Sequence, residues 1–517
     1  MNSGADSATA RTKDSLRLMM SSSNTSTDVA DSPLISTQRL LRKGSFTSHV
    51  LTLTAGSTFS QAVNAAGTLV LARLFSPADF GLLALFMAIT AFLSVVGSWR
   101  YETAVMLPEE EREAANLQVL ALLILLGMCA LSLVCVAVGR HPIAVALGEP
   151  QLAPWLWGVP ISLLATGLYQ IASYWASRMK YFHLLAISRV SQTVGVVGIQ
   201  LGLLALGLRG PLALILGWVA GQVVGTITLM WRAVLDEGEF LIRSFDWSLV
   251  RAGFFKYKNF PLYTAPYSFC GNGAKQLTVV ILRVFVDIGV VGWFSMARRV
   301  VSLPLSLVTV SMNQVFYEKA ATEMKAGRLE PFVSRVIKLQ IALGTPLLVY
   351  FMFEAPLLFR IALGPVWATA GAYAALLSVS GFVDFVTSWM DRIFDVKGRQ
   401  RLALIWEIVR DAIVIGCFAV TLWGSHSPLL GVTVYIALDF ICSVIWLLIV
   451  YQISDFLFRN LWHIGGLFVG IGSVATILLW VIGRTFSQWQ AFGIASALTL
   501  ATEGFIFLKY SKGSRLL

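Results

Sequence analysis

From about His49 to Lys509 the chain is a succession of about fourteen apolar stretches, each near 20 residues long. A bilayer core of about 30 Å takes about 20 apolar residues to cross as a helix. A soluble chain would instead alternate polar and apolar positions with the period of an amphipathic helix or strand. Inside lipid the backbone must satisfy its own hydrogen bonds, and runs of this length do so as helices, whereas barrel strands are shorter and alternate. Composition agrees, with 57% hydrophobic and 13% charged residues and a mean hydropathy of +0.74. The chain therefore reads as an all-α polytopic membrane protein. Its expected spans are 48–72, 80–99, 115–138, 153–175, 184–208, 211–231, 261–285, 288–316, 335–358, 366–391, 402–424, 429–451, 462–483 and 489–508.

Charge sets the orientation. With the N-terminus inside, 28 of the 39 Lys and Arg fall in cytoplasmic segments and six in the opposite ones, Arg73, Arg140, Arg209, Arg283, Arg360 and Arg484. The positive-inside rule then places both termini in the cytoplasm and requires an even number of spans. The net charge of +11 follows mostly from topology, so nucleic acid is not an expected partner. All five cysteines lie within spans and show no metal spacing or disulfide framework. Residues 1–45 are rich in Ser and Thr, lack an apolar segment, and read as a disordered cytoplasmic tail.

Two internal correspondences suggest a duplication. Span one ends with Arg73 and span seven with Arg283; after each comes a short turn and a helix starting near Gly81 or Gly289. Ahead of spans four and ten stand Ala146-Leu147-Gly148 and Ala362-Leu363-Gly364, followed by Trp155 and Trp367. The expected organisation is a six-helix bundle over 46–232, a cytoplasmic linker over 233–260 and a parallel six-helix bundle over 261–451. Two further helices and a short cytoplasmic tail then occupy 452–517.

The segment from Gly67 through Arg73, Pro77, Asp79, Phe80 and Gly81, and on through Arg100-Tyr101-Glu102, Ala104, Pro108 and Ala114-Ala115-Asn116-Leu117, resembles a known signature. It looks like the N-terminal part of the polysaccharide transporters, the Wzx-type O-antigen flippases. These belong to the multidrug/oligosaccharidyl-lipid/polysaccharide exporter superfamily. Leu363-Gly364-Pro365 with Trp367 resembles that family's second-half motif. The long polar N-terminal extension departs from the pattern. The resemblance implies that an undecaprenyl-pyrophosphate-linked oligosaccharide is flipped across the bacterial inner membrane by alternating access between two bundles, for O-antigen, capsule or exopolysaccharide synthesis. It implies no cofactor, leaves coupling open between H+, Na+ and the membrane potential, and makes a polysaccharide polymerase and a chain-length regulator expected partners.

A pyrophosphate crossing hydrocarbon needs a hydrated cavity with fixed positive charge, because a charge unpaired at mid-bilayer is costly. Lys275 lies about ten residues inside span seven, roughly 15 Å deep at 1.5 Å per residue, and Arg298 and Arg299 reach a similar depth along span eight. These three, with Asn272, Gln276 and Asn313 nearby and Gln61 and Asn64 on one face of span one, are the candidate substrate-binding residues. Internal neutralisation is the alternative, since Asp384, Glu407, Asp411 and Asp439 also lie within spans. Arg73 and Arg283 at one membrane face, and Arg100 and Glu102 at the other, are gate or lip candidates. Asp384 and Asp439 are candidates for ion coupling. Pro160, Pro304 and Pro346 are expected kinks.

No large soluble loop, phosphate-cradling loop or metal motif is evident, and a transporter rather than an enzyme is expected. A multidrug or cation antiporter and a lipid II flippase of the same superfamily are the alternatives, ahead of a membrane glycosyltransferase or polymerase.

Overall fold

The structure, a computed structural model, describes residues 46–325, 327–390, 393–394 and 399–512. The tail expected over 1–45 lies outside the described residues. The chain divides into Met1–Thr52 and Leu53–Leu517, and the second unit holds the helix bundle.

A helix stands at each of the fourteen expected places. They are α1 (Phe46–Leu74), α2 (Pro77–Val95), α3 (Glu111–Ala146), α4 (Gly158–Arg178), α5 (Phe182–Ala205), α6 (Pro211–Ser244) and α7 (Ala274–Phe285). Next come α8 (Ile288–Lys325), α9 (Leu329–Ala362), α10 (Ala368–Thr387), α11 (Gln400–Ser425), α12 (Pro428–Ile453), α13 (Arg459–Thr485) and α14 (Gln488–Lys512). Among the described residues, nine of these are long and apolar enough to cross a bilayer. Of the other five, α7, α8 and α11 carry Lys275, the Arg298–Arg299 pair, and Glu407, Arg410 and Asp411. The protein is an all-helical polytopic membrane protein.

Local chemistry explains the helix ends. Ser76 caps α2 in a reciprocal box with Asp79, and Pro77 occupies the first turn, where a missing N–H costs nothing. Gly148 and Gly364 follow α3 and α9 with φ of 70° and 113°, the left-handed region that a side chain resists. Pro160 lies in the first turn of α4 instead of kinking it, whereas Pro304 and Pro346 sit inside α8 and α9. Ahead of α7 the chain forms two π turns, Phe260–Thr264 and Phe269–Gly273, around a short helix, so span seven is not a regular rod.

The stretch expected as a linker is itself helical. The sixth helix runs on to Ser244, and a connecting helix follows at Trp247–Lys256, capped by Asp246. It docks on the start of α3: Asp246 N donates to Asn116 Oδ1 at 2.8 Å, Arg112 pairs with Asp246 at 3.2 Å, and Lys256 pairs with Glu113 at 2.6 Å.

Helix pairing repeats with a shift of six. In the first set α2 packs on α4, α3 on α4, α4 on α6 and α5 on α6; in the second, α8 packs on α10, α9 on α10, α10 on α12 and α11 on α12. Gly56 and Gly67 bring α1 against Ala186 and Val197 of α5, as α7 meets α11. The sets meet where α2 packs on α7 and α8, while α13 and α14 pack on α9. The largest apolar core runs through this junction, with Phe80, Phe86, Phe294, Phe359 and Trp367 all buried.

Candidate transport cavities and the latched end

At the end of the bundle where α1 meets α2, the two helix sets lock reciprocally. Arg73, at the end of α1, donates to Ile361 O at 2.9 Å and Ala362 O at 3.1 Å, the last carbonyls of α9. Arg283, at the end of α7, pairs with Glu149 at 3.0 Å and donates to Gly148 O, just past the end of α3. Each guanidinium thus meets the negative end of a helix in the other set, which favours it electrostatically. Trp367 Nε1 adds a 2.6 Å hydrogen bond to Ala72 O. Beside these contacts α2 and α8 cross at glycine: a Cβ built on Gly81 would lie 2.0 Å from Ile288 O, and one on Gly292 1.8 Å from Pro77 O. This end is sealed.

Behind the seal lies a first cavity of about 400 Å³ between the helix sets, bounded by α1, α2, α5 and α6 on one side and α7 and α8 on the other. Among the described residues, its only charged lining side chains are Arg298 and Arg299. Arg299 donates to the Asn64 side chain across the junction, and Arg298 Nη1 donates to Lys275 O at 2.9 Å. Asn64, Gln192, Gln200, Gln222 and Gln276 supply amides. With two cations and no carboxylate in its described lining, the chamber attracts an anion.

A second cavity of about 420 Å³ lies among α7, α10, α11 and α12, and its charges compensate. Lys275 Nζ sits 3.4 Å from Asp384, and Arg410 sits 2.6 Å from Asp439 and 3.7 Å from Glu407. Ser380 Oγ donates to the remaining Asp439 oxygen at 2.6 Å. Asp411 Oδ2 is buried with no hydrogen-bond partner among the described residues.

The sequence candidates are therefore divided. Arg298, Arg299, Gln276 and Asn64 come together in the first cavity, while Lys275 and Asp384 face the second as a pair. Gln61 is half-buried on α1 and lines neither. The side chains of Asn272 and Asn313 lie outside the described residues. Arg73 and Arg283 form the sealed end. At the other end Arg100 and Glu102 are engaged with each other at 3.5 Å, Ser98 Oγ donates to Glu102, Trp99 and Arg100 both have positive φ, and neither Arg100 nor Glu102 lines either cavity. Arg189 reaches Ser57 Oγ on α1 at 3.0 Å.

Gln192, Gln200 and Gln222 were not singled out in the sequence. Their signal is Gly217, Gly221 and Gly225 at intervals of four along α6, a spacing that lets helices approach closely.

A multi-helix membrane bundle with a cation-lined chamber between two similarly paired helix sets is the architecture of a transporter. Residues 70–372, more than half of the chain, match the family model described as polysaccharide biosynthesis protein, and the chain belongs to that family. By that family and its apolar helices it is a multi-pass membrane protein of polysaccharide biosynthesis. Over 368 residues it is 24% identical to the succinoglycan biosynthesis transport protein ExoT of Rhizobium meliloti (strain 1021), covering 68% of this chain and 69% of that one. Its fold is similar to that of the lipid II flippase MurJ in an inward closed conformation, with a TM-score of 0.70, 14% identity, and coverage of 90% of this chain and 99% of that one. An inward-facing multidrug resistance MATE family transporter gives 0.60 with 13% identity, over 77% and 95% of the two chains.

Proposed function

We propose that the protein flips an undecaprenyl-pyrophosphate-linked oligosaccharide across the bacterial inner membrane for surface polysaccharide synthesis. The observation that carries this reading is the first cavity, whose two arginines lack a carboxylate among its described lining residues. A diphosphate joining a polyprenyl chain to a sugar carries negative charge that hydrocarbon would reject, and fixed guanidinium groups in a polar chamber replace its lost hydration. In this proposal 46–232 and 261–451 are parallel bundles that rock about the α2–α8 junction, and release requires the latches at Arg73 and Arg283 to open. The excess of Lys and Arg on one set of connections supports cytoplasmic termini and an inner-membrane location.

Coupling to H+ or Na+ belongs to the carboxylates at and beside the second cavity, where Asp384 and Asp439 pair with Lys275 and Arg410, and Asp411 Oδ2 is buried with no hydrogen-bond partner among the described residues. A polymerase and a chain-length regulator are proposed to take the product.

The test is translocation in proteoliposomes of lipid-linked oligosaccharide extracted from the protein's own host. Wild type is expected to move it, and Arg299→Ala to slow it at least about tenfold, the value of one charge-assisted hydrogen bond. No movement by folded wild type would overturn the assignment. Lipid II is the second reading, favoured by the similarity to MurJ; preferential transport of lipid II in the same assay would establish it instead.

A further inference from the structure

The first cavity has two chemically distinct walls. On α8 stand Arg298 and Arg299; opposite, α5 and α6 present Gln192, Gln200 and Gln222, with Asn64 on α1 beside them. Such amides are expensive inside a membrane unless they have partners. Interhelical glue is one explanation, and it accounts for part of the wall: Gln192 donates to Gln222, and Gln200 Nε2 donates to Leu214 O at 2.9 Å. It leaves a remainder. The Gln192 carbonyl, the Gln222 NH2 and the whole Gln276 amide make no further hydrogen bond among the described residues. Ser295 Oγ, also in the lining, is buried with no partner among the described residues.

The platform that holds these groups is tightly built. A Cβ on Gly217 would lie 2.4 Å from Gln200 Cγ, one on Gly221 2.3 Å from Val196 Cγ2, and one on Gly225 2.6 Å from Gln192 Cβ. The glutamine row is thus pressed against the glycine row of α6. Trp218, next to Gly217, lines the same chamber and gives it an aromatic surface.

We infer that this amide wall is a saccharide-reading subsite for uncharged, hydroxyl-rich sugar, placed across the cavity from the arginines that take the diphosphate. The inference rests on the proposed flippase function and adds where the sugar is recognised. Each free amide offers two donors or two acceptors without net charge, and a sugar hydroxyl both donates and accepts. A carboxylate would serve the donors of the sugar equally well but would repel the adjacent diphosphate, and none lines the chamber among the described residues. The wall belongs to the first helix set and the arginines to the second, so a ligand held at both ends bridges the junction that must move.

The test compares binding of two probes to the full-length protein in nanodiscs: undecaprenyl pyrophosphate without sugar, and the sugar-bearing lipid extracted from the host. Wild type is expected to bind the sugar-bearing lipid about tenfold more tightly, the yield of one to two hydrogen bonds. In Gln192→Met and Gln222→Met, which keep side-chain length and remove polarity, the two affinities are expected to converge. Arg299→Ala is expected to weaken both probes and preserve their ratio. Wild type that binds both probes equally, or methionine variants that retain the full preference while eluting as folded protein, would overturn the subsite and leave the flippase intact. Wild type that binds neither probe would overturn both readings. Gln222→Met serves as the second variant should Gln192→Met fail to fold, while Gln276→Met, on the arginine side of the chamber, is expected to leave the preference in place.

Discussion

At the scale of single residues, the membrane-embedded cations differ in what surrounds them. Lys275 has Asp384 at 3.4 Å, with both side chains about half exposed, whereas Arg298 and Arg299 line a chamber without a carboxylate among its described residues. Where water fills the cavity around it, such a half-exposed pair is worth about 1 kcal/mol or less. Lys275→Ala is therefore expected to destabilise only slightly, and Lys275→Ala with Asp384→Ala to recover part of that loss. A double-mutant cycle on thermal unfolding of the purified protein checks this; coupling well above about 1 kcal/mol would show a far stronger pair than the geometry implies. Depth along the helix was legible in the sequence for all three cations. Which cavity each one faces was not, because that depends on helix rotation and on a carboxylate more than a hundred positions away.

Element scale brings in the glycines and the connecting helix. Gly81 and Gly292 abut backbone, leaving no flexible side chain to move aside. Gly81→Ala is expected to force α2 from α8 and to lower the thermal midpoint by several degrees or prevent folding, as overpacking costs about 1–3 kcal/mol or more. A variant with the wild-type midpoint and wild-type hydrogen exchange in α2 would show that the helices separate freely there.

The connecting helix yields a pH prediction. Hydrogen bonds from the Ser248 hydroxyl and amide, with Arg112 nearby, hold the Asp246 carboxyl below its ordinary range. Its stabilisation of Trp247–Lys256 is therefore complete above the unfolded value near about 4 and is lost as pH falls through the depressed folded value. Hydrogen exchange of this segment, corrected for intrinsic rates, should accelerate below about pH 4 in wild type; in Asp246→Ala, which removes the cap, it should already be fast at neutral pH. The helix was expected as a linker because its apolar residues are too few for a span, and its order comes from docking on Asn116, Arg112 and Glu113.

For the whole molecule, the relevant energy is that of the two latches. Each combines charge-assisted hydrogen bonds of about 1.5–3 kcal/mol, lower where water reaches them. Removing both with Arg73→Ala and Arg283→Ala should shift the population toward a state open at that end by about 10- to 100-fold. Ser295→Cys, in a background without the five native cysteines, reports the shift as faster reaction with an impermeant maleimide added from that side. Unchanged labelling in the double variant would show that the α2–α8 crossing alone keeps the end shut.

The all-helical membrane class, the places of the fourteen expected helices, and the correspondences of Arg73 with Arg283 and Gly148 with Gly364 were legible in the sequence. Hydropathy and internal similarity are properties of neighbouring residues, and lipid leaves the backbone few alternatives to a helix. The sequence also held both halves of each latch as separate correspondences. Only tertiary structure joined them crosswise, Arg73 to the end of α9 just before Gly364 and Arg283 to Gly148 at the end of α3, because a contact across 289 or 135 positions arises from how the two helix sets face each other. The same holds for the cavities: which amides and cations share a chamber is decided by helix rotation and close glycine packing, and the order of residues along the chain does not encode that by itself.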